Sequence, residues 1–134
     1  MGDMTGNGKP RLSVFKGREA KLNKAIFWVL AQEGPLTIYD ICKKVRTQRA
    51  LRYTKYSVIN RRVRSLVEKG YIERIGARRS QAGFESQLYR LASRAYLATI
   101  LNEVNFDKFI EKANEEDIIS ALAVFTSNKF EPNE

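Results

Sequence analysis

Residues 56–70 read YSVINRRVRSLVEKG, and the rest of the chain is organised around them. Ile59, Val63, Leu66 and Val67 recur at i, i+4, i+7 and i+8, which places four aliphatic side chains on one face of a helix. Ser57, Asn60, Arg61, Arg64 and Glu68 fall on the other side. Thr54 or Ser57 can cap the start, and Gly70 suits the left-handed position that ends a helix. Arg61, Arg62 and Arg64 sit mid-helix with no acid beside them. A helix buried along one side and armed with arginine on the other is suited to lie on an anion. The same pattern also describes a solvated basic face, so the flanking sequence has to decide.

The flanks are basic. Between Cys42 and Val67 there are nine Lys and Arg and no acidic residue. Residues 1–94 carry 21 Lys and Arg against 7 Asp and Glu, a net of +14, whereas residues 95–134 carry 3 against 8, a net of −5. Like charges gathered this way repel one another in the folded state, so they are placed to face a polyanion rather than to stabilise the fold.

With 134 residues, 43% of them hydrophobic, the chain is expected to form one domain with a small appendage and a real core. No apolar run approaches the ~20 residues of a membrane span, and no signal-peptide-like segment is evident, so a cytoplasmic protein is expected. There is one cysteine and no histidine. That excludes an internal disulfide, the usual zinc sites and the commonest general base. There is also no glycine-rich phosphate loop and no tight acidic cluster, so neither an enzyme nor a cofactor is expected.

Residues 1–17 read as a disordered basic arm, with Lys9, Arg11 and Lys16 along it. A first helix over 18–33 is apolar nearly all round. Leu22, Ala25, Ile26, Val29 and Leu30 make one face, and Phe27, Trp28 and Ala31 cover much of the rest. Either the C-terminal segment or a second chain is expected to cover Phe27 and Trp28. Gly34-Pro35 turns the chain, Leu36 can form a short strand, and Thr37 caps a second helix with Asp40 reaching back. Ile38, Ile41, Cys42 and Val45 are its buried stripe, on which Cys42 reads as a small core side chain. In residues 46–53, Arg46, Arg49 and Arg52 extend the basic surface, either on an extra helical turn or as an exposed loop.

After Gly70, YIERIG and ESQLYRL bracket a polar stretch, ARRSQAGF, which predicts a β-hairpin with a long, flexible tip at 77–84 carrying Arg78 and Arg79. A fourth helix over 93–101 is anchored by Tyr96, Leu97, Ile100 and Leu101. Asn105 caps a fifth, with Phe106, Phe109, Ile110 and Ala113 on one face. A sixth over 116–125 buries Ile118, Ile119, Leu122 and Phe125 and starts with Glu115, Glu116 and Asp117 at its positive end. From residue 127 the chain is expected to be disordered.

Three helices followed by a β-hairpin with a basic tip is the order of a winged helix-turn-helix domain, here mainly α with a small hairpin and added C-terminal helices. LTIYDICKKV (36–45) resembles the second helix of PadR-like regulators. YSVINRRVRSLVEKGYIER (56–74) resembles the recognition helix and first wing strand of PadR- and MarR-like proteins, and LYRLASRAYLA (88–98) is similar to their strand-to-helix exit. The resemblance covers residues 20–101. The stretch between the second and third helices is longer than the usual three-to-four-residue turn.

The resemblance implies a dimeric, sequence-specific regulator of transcription on double-stranded DNA, with the third helix in the major groove and the wing on the backbone or minor groove. The residues agree with it. Asn60 and Arg61 suit adenine and guanine edges, and Tyr56, Ser57 and Arg64 share their exposed side. Lys43, Lys44, Arg46, Arg49, Arg52, Lys55, Arg62, Arg78 and Arg79 can supply phosphate contacts. The domains expected are the winged helix at 18–101 and C-terminal helices at 102–126. Trp28, Tyr96, Phe106, Phe109, Leu122 and Phe125 present more apolar surface than one three-helix core can cover, which predicts a homodimer interface. Two alternatives stay open. One is a winged-helix subunit that binds only protein within a transcription or replication complex; the other is an RNA or single-strand binder, for which Tyr53 and Tyr56 are the stacking candidates. The sequence identifies no small-molecule effector.

Overall fold

The third helix of the computed structural model, which describes residues 12–129, buries the side its spacing predicts. This helix, α3 (Tyr56–Glu68), buries Ile59, Val63 and Leu66, with Val67 half-buried beside them. Its first turn differs from expectation. Lys55 occupies the cap position and no side chain caps it, so neither Thr54 nor Ser57 does so. Its end is as expected. Gly70 takes a φ of 85°, and the Tyr71 N–H reaches back to the Leu66 carbonyl at 2.9 Å, satisfying a carbonyl that the helix leaves open.

Two further helices supply much of the rest of the core. α1 (Ala20–Glu33) buries Leu22, Asn23, Ala25, Ile26, Phe27, Val29 and Leu30. α2 (Ile38–Val45) buries Ile38, Ile41, Cys42 and Val45. Thr37 caps α2 by accepting the Asp40 N–H at 3.1 Å. The Asp40 carboxylate accepts from Arg78 Nη2 at 3.0 Å, so the reciprocal half of the expected capping box gives way to a tie to the hairpin. Between α2 and α3, Arg49–Leu51 forms one 3-10 turn that sends Leu51 into the core. The extra length of this connection is therefore a packed turn, not a loose loop.

β1 (Ile72–Arg79) and β2 (Glu85–Leu91) form the antiparallel wing, with a bulge between Arg74 and Gly76. The bulge shifts the facing of side chains by one residue, which explains why the alternation along YIERIG is imperfect. Leu36 pairs with Tyr89 through two backbone hydrogen bonds of 2.9 and 2.8 Å, a single-residue bridge where a short strand is expected. Three helices, this bridge and a two-stranded hairpin make this region a winged helix.

The structure corrects several expectations. The strands run on to Arg79 and resume at Glu85, so Arg78 and Arg79 stand in the strand, opposite Ser86 and Glu85, and not in a flexible tip. The expected disordered arm at 1–17 ends earlier. Ser13–Phe15 is a 3-10 turn, and Val14 and Phe15 are core residues; residues 1–11 lie outside those described. Phe15 packs edge-on against Phe27 with ring centroids 5.7 Å apart, and Tyr71 lies 5.7 Å from Phe27 on another side. Phe27 is thus covered by the N-terminal turn and Tyr71. Asn23 Nδ2 donates to the Val14 carbonyl at 2.8 Å and pins that turn to α1.

α4 (Ser93–Glu103) packs by its small residues. Ala95 and Ala98 are buried, whereas Tyr96, Leu97 and Ile100, expected as anchors, are exposed. The chain divides into residues up to Asn102 and residues from Glu103. In the second unit Asn105 caps α5 (Phe106–Lys112) by accepting the Lys108 N–H at 3.0 Å, as expected. Asn114 does the same for Asp117 at 2.8 Å and starts α6 (Glu115–Lys129). This helix continues to Lys129, so residues 127–129 are helical and not a disordered tail; residues 130–134 lie outside those described. Ile118 is half-buried, but Ile119, Leu122 and Phe125 are exposed, contrary to the expected buried face. α5 and α6 have no fully buried residue among those described, so the pair does not enclose a core of its own.

Candidate nucleic-acid interface

The buried stripe of α3 determines what its other side presents. At about 100° per residue, Ser57, Arg61, Arg64 and Glu68 lie opposite Ile59, Val63 and Leu66; all four are exposed. Tyr56 is exposed at the first turn, and Asn60 is half-buried at the edge of the face. Arg64 Nε donates to Asn60 Oδ1 at 3.2 Å, which couples two of the predicted base readers. Among the described residues, no carboxylate lies within salt-bridge distance of Arg61 or Arg64.

Arg62 stands apart. It was expected on the phosphate backbone, but its position is nearer Leu66 and Ile59, and its side chain is only 12% exposed. It pairs with Glu19 at the start of α1, and its Nη1 donates to Ser65 Oγ at 3.4 Å. This arginine joins α3 to α1 and does not face outward.

The predicted backbone cations form two groups. Lys43, Arg46, Arg49, Arg52 and Lys55 are exposed and have no acid partner among the described residues. Arg46 Nε donates to the Thr54 carbonyl at 2.8 Å, so it also braces the entry to α3. The others are paired: Lys44 with Glu33 at 3.7 Å, Arg78 with Asp40 at 3.0 Å and Arg79 with Glu85 at 3.8 Å. The Lys44 and Arg79 pairs, long and exposed on both sides, are weak and open readily to a stronger anion, whereas Arg78 holds a carboxylate that is only 23% exposed.

Exposed aromatics stand beside some of these cations. Tyr53 is 86% exposed with the Arg52 guanidinium 5.9 Å from its ring, and Lys43 Nζ lies 5.3 Å from the exposed ring of Tyr39. Nothing in the sequence marks Tyr39, because its place beside the α2 stripe reads as ordinary helix surface. Trp28 is 60% exposed and lines a shallow groove of about 510 Å³ with Lys21, Lys24, Ala25 and Gln48. Tyr96, Phe106, Phe109, Leu122 and Phe125, the other predicted interface residues, are also exposed.

No family model and no curated protein matches the chain. Among solved structures, that of Bacillus subtilis PadR in complex with operator DNA is similar, with 20% identity and a TM-score of 0.49 over 83% of this chain and 60% of that one. The chain therefore spans 60% of the length of that protein. The winged helix described above follows from this chain's own elements and pairing. Among the described residues there is no group of three or more His, Cys, Asp or Glu placed to hold a metal, and no helix long and apolar enough to cross a membrane.

Proposed function

We propose that this protein is a sequence-specific, double-stranded-DNA-binding regulator of transcription that acts as a homodimer, with α3 in the major groove and the wing along the backbone. One observation carries the reading. α3 is buried on one side, and on the other it presents Arg61 and Arg64, with no carboxylate within salt-bridge distance among the described residues, beside five more cations from residues 43–55 that likewise have no acid partner there. Cations held apart from acids on a helix narrow enough for a major groove are an arrangement that phosphate and base edges complement. Asn60, Arg61 and Arg64, with Tyr56 and Ser57, are the proposed base contacts. Lys43, Arg46, Arg49, Arg52, Lys55 and Arg79 are the proposed backbone contacts, and Lys44 joins them when its pair with Glu33 opens.

The test is selection of bound duplexes from a random pool, followed by sequencing. A two-fold symmetric motif is expected. Recovery without sequence preference would overturn the specific reading.

The exposure of Tyr53 and Tyr39 beside Arg52 and Lys43 favours a second reading, binding of single strands or RNA by base stacking. Competition between duplex and single-stranded DNA of one sequence separates the two. Duplex should displace single strand if α3 is the reader.

A further inference from the structure

The end of the wing is built more firmly than its composition suggests. Ser80 and Phe84 close a three-residue loop. The Ser80 N–H donates to the Phe84 carbonyl at 2.8 Å, the Gly83 N–H to the Ser80 carbonyl at 2.9 Å, and the Phe84 N–H to Ser80 Oγ at 3.2 Å. Gly83, at a φ of 90°, takes the left-handed position that such a loop requires. Lower down the wing, Arg78 ties β1 to the first turn of α2 through Asp40, 38 residues away in sequence. The tip is thus fixed at both its turn and its base.

On this fixed tip Phe84 is 73% exposed. A single apolar side chain on a protein surface is ordinary. A phenyl ring on a closed turn is different, because the turn prevents it from folding back onto its own domain. Arg78 and Arg79 stand in the facing strand, Arg79 in a long, exposed pair with Glu85 that a phosphate can open. Arg79 is paired in register with Glu85, the residue after Phe84, and Arg78 with Ser86. An apolar ring beside arginines is poorly matched to an apolar protein pocket, where the guanidinium groups would have to lose water. It is well matched to a nucleic acid, whose phosphates take the cations and whose stacked bases take the ring.

We propose that Phe84 is a wedge that enters the minor groove beside the site covered by α3 and inserts between two base pairs while Arg79 holds an adjacent phosphate. The proposal rests on the duplex-binding reading given above. Apolar side chains inserted from the minor groove partly unstack a step and kink the duplex toward the major groove by roughly 20–90°. The kink closes the major groove around α3. Pyrimidine–purine steps such as TA and CA/TG unstack most easily, so the wedge adds a preference for such a step at a position that α3 does not touch.

The test uses the full chain and a duplex that carries its selected site, with 2-aminopurine at the flanking step and a donor and acceptor dye on the ends. Wild-type protein is expected to raise 2-aminopurine fluorescence and shorten the end-to-end distance. Phe84→Ala should abolish both changes and weaken binding roughly tenfold with the salt slope unchanged, because a stacked ring releases no counterion. Phe84→Leu, still large and apolar, should restore part of the bend. If wild-type protein binds the duplex with steep salt dependence but neither bends it nor unstacks the step, or if Phe84→Ala bends it as well as wild type, the wedge is overturned and the duplex reading stands. If Phe84→Ala instead loses self-association by light scattering while the bend persists, the ring belongs to a second copy and the wedge is overturned. Absence of any duplex binding would overturn both.

Discussion

Arg61 and Arg62 are neighbours in sequence and carry the same charge, yet α3 sends them to different places. A step of about 100° turns Arg61 away from the core and sets Arg62 against its edge, where Glu19 pairs with it. Removing each should therefore have different consequences. Arg61→Ala is expected to cost about 1–3 kcal/mol on the preferred duplex and to relax one base position, while random duplex loses less. An equal loss on both would assign Arg61 to the backbone. Arg62→Ala should leave the salt slope of binding unchanged and lower folding stability by about 1 kcal/mol, the centre of the range for single substitutions. Chemical denaturation and a salt titration of the same variant check both parts. The buried side of α3 was legible from residue types alone. The distinction between the two arginines was only partly legible, because Glu19 lies 43 positions away and nothing local marks it as a partner.

At the scale of elements, the wing and the N-terminal turn depart most from their sequence pattern. Arg78 and Arg79 looked like members of a mobile loop because serine, glutamine and glycine follow them. Strand pairing continues past the bulge and takes in both, and Asp40 then holds one. Arg79→Ala should make the salt slope of duplex binding shallower by about one unit. Arg78→Ala should change the slope less, since Arg78 braces the wing against α2, and Asp40→Asn should resemble it. Hydrogen exchange of the hairpin amides provides the check, with faster exchange expected in both bracing variants and not in Arg79→Ala. The N-terminal turn carries a stability prediction. Phe15 is almost fully buried against Phe27, and Phe15→Ala should cost about 3–5 kcal/mol, measured by denaturant unfolding. Unchanged stability would show that the turn does not cover the core in solution. The two-residue apolar run Val14-Phe15, between Ser13 and Lys16-Gly17, is too short to show a period, which is why its burial could not be read from the pattern.

At the scale of the whole molecule, charge and apolar surface are separated along the chain. The basic excess lies before residue 95 and the acidic excess after it. If about six cations reach phosphate, log K for duplex binding should fall with a slope of roughly −5 per log unit of salt. Affinity that stays flat from low to moderate salt would overturn the electrostatic reading. The apolar residues of α5 and α6, including Phe106, Phe109, Leu122 and Phe125, are exposed in the single chain, as is Trp28 on α1. The proposed homodimer covers them. Light scattering should give twice the mass of the chain, and truncation after Leu101 should give a monomer or insoluble protein. A wild-type monomer would refute the dimer.

The stripes of α1, α2 and α3, the Thr37 and Asn105 caps, the Gly70 exit and the concentration of positive charge are local properties. Each depends on residues within a few turns of one another, so the sequence by itself determined them. Tertiary structure alone decided which cations remain outward, because Glu19 and Asp40 reach Arg62 and Arg78 across long stretches of chain. It also decided that Val14, Phe15 and Leu51 enter the core, since a short apolar run is buried only when distant elements leave a space of its shape. Pairing across the hairpin and between α2 and β1 is a non-local choice, and it set the stiffness of the wing that holds Phe84 outward.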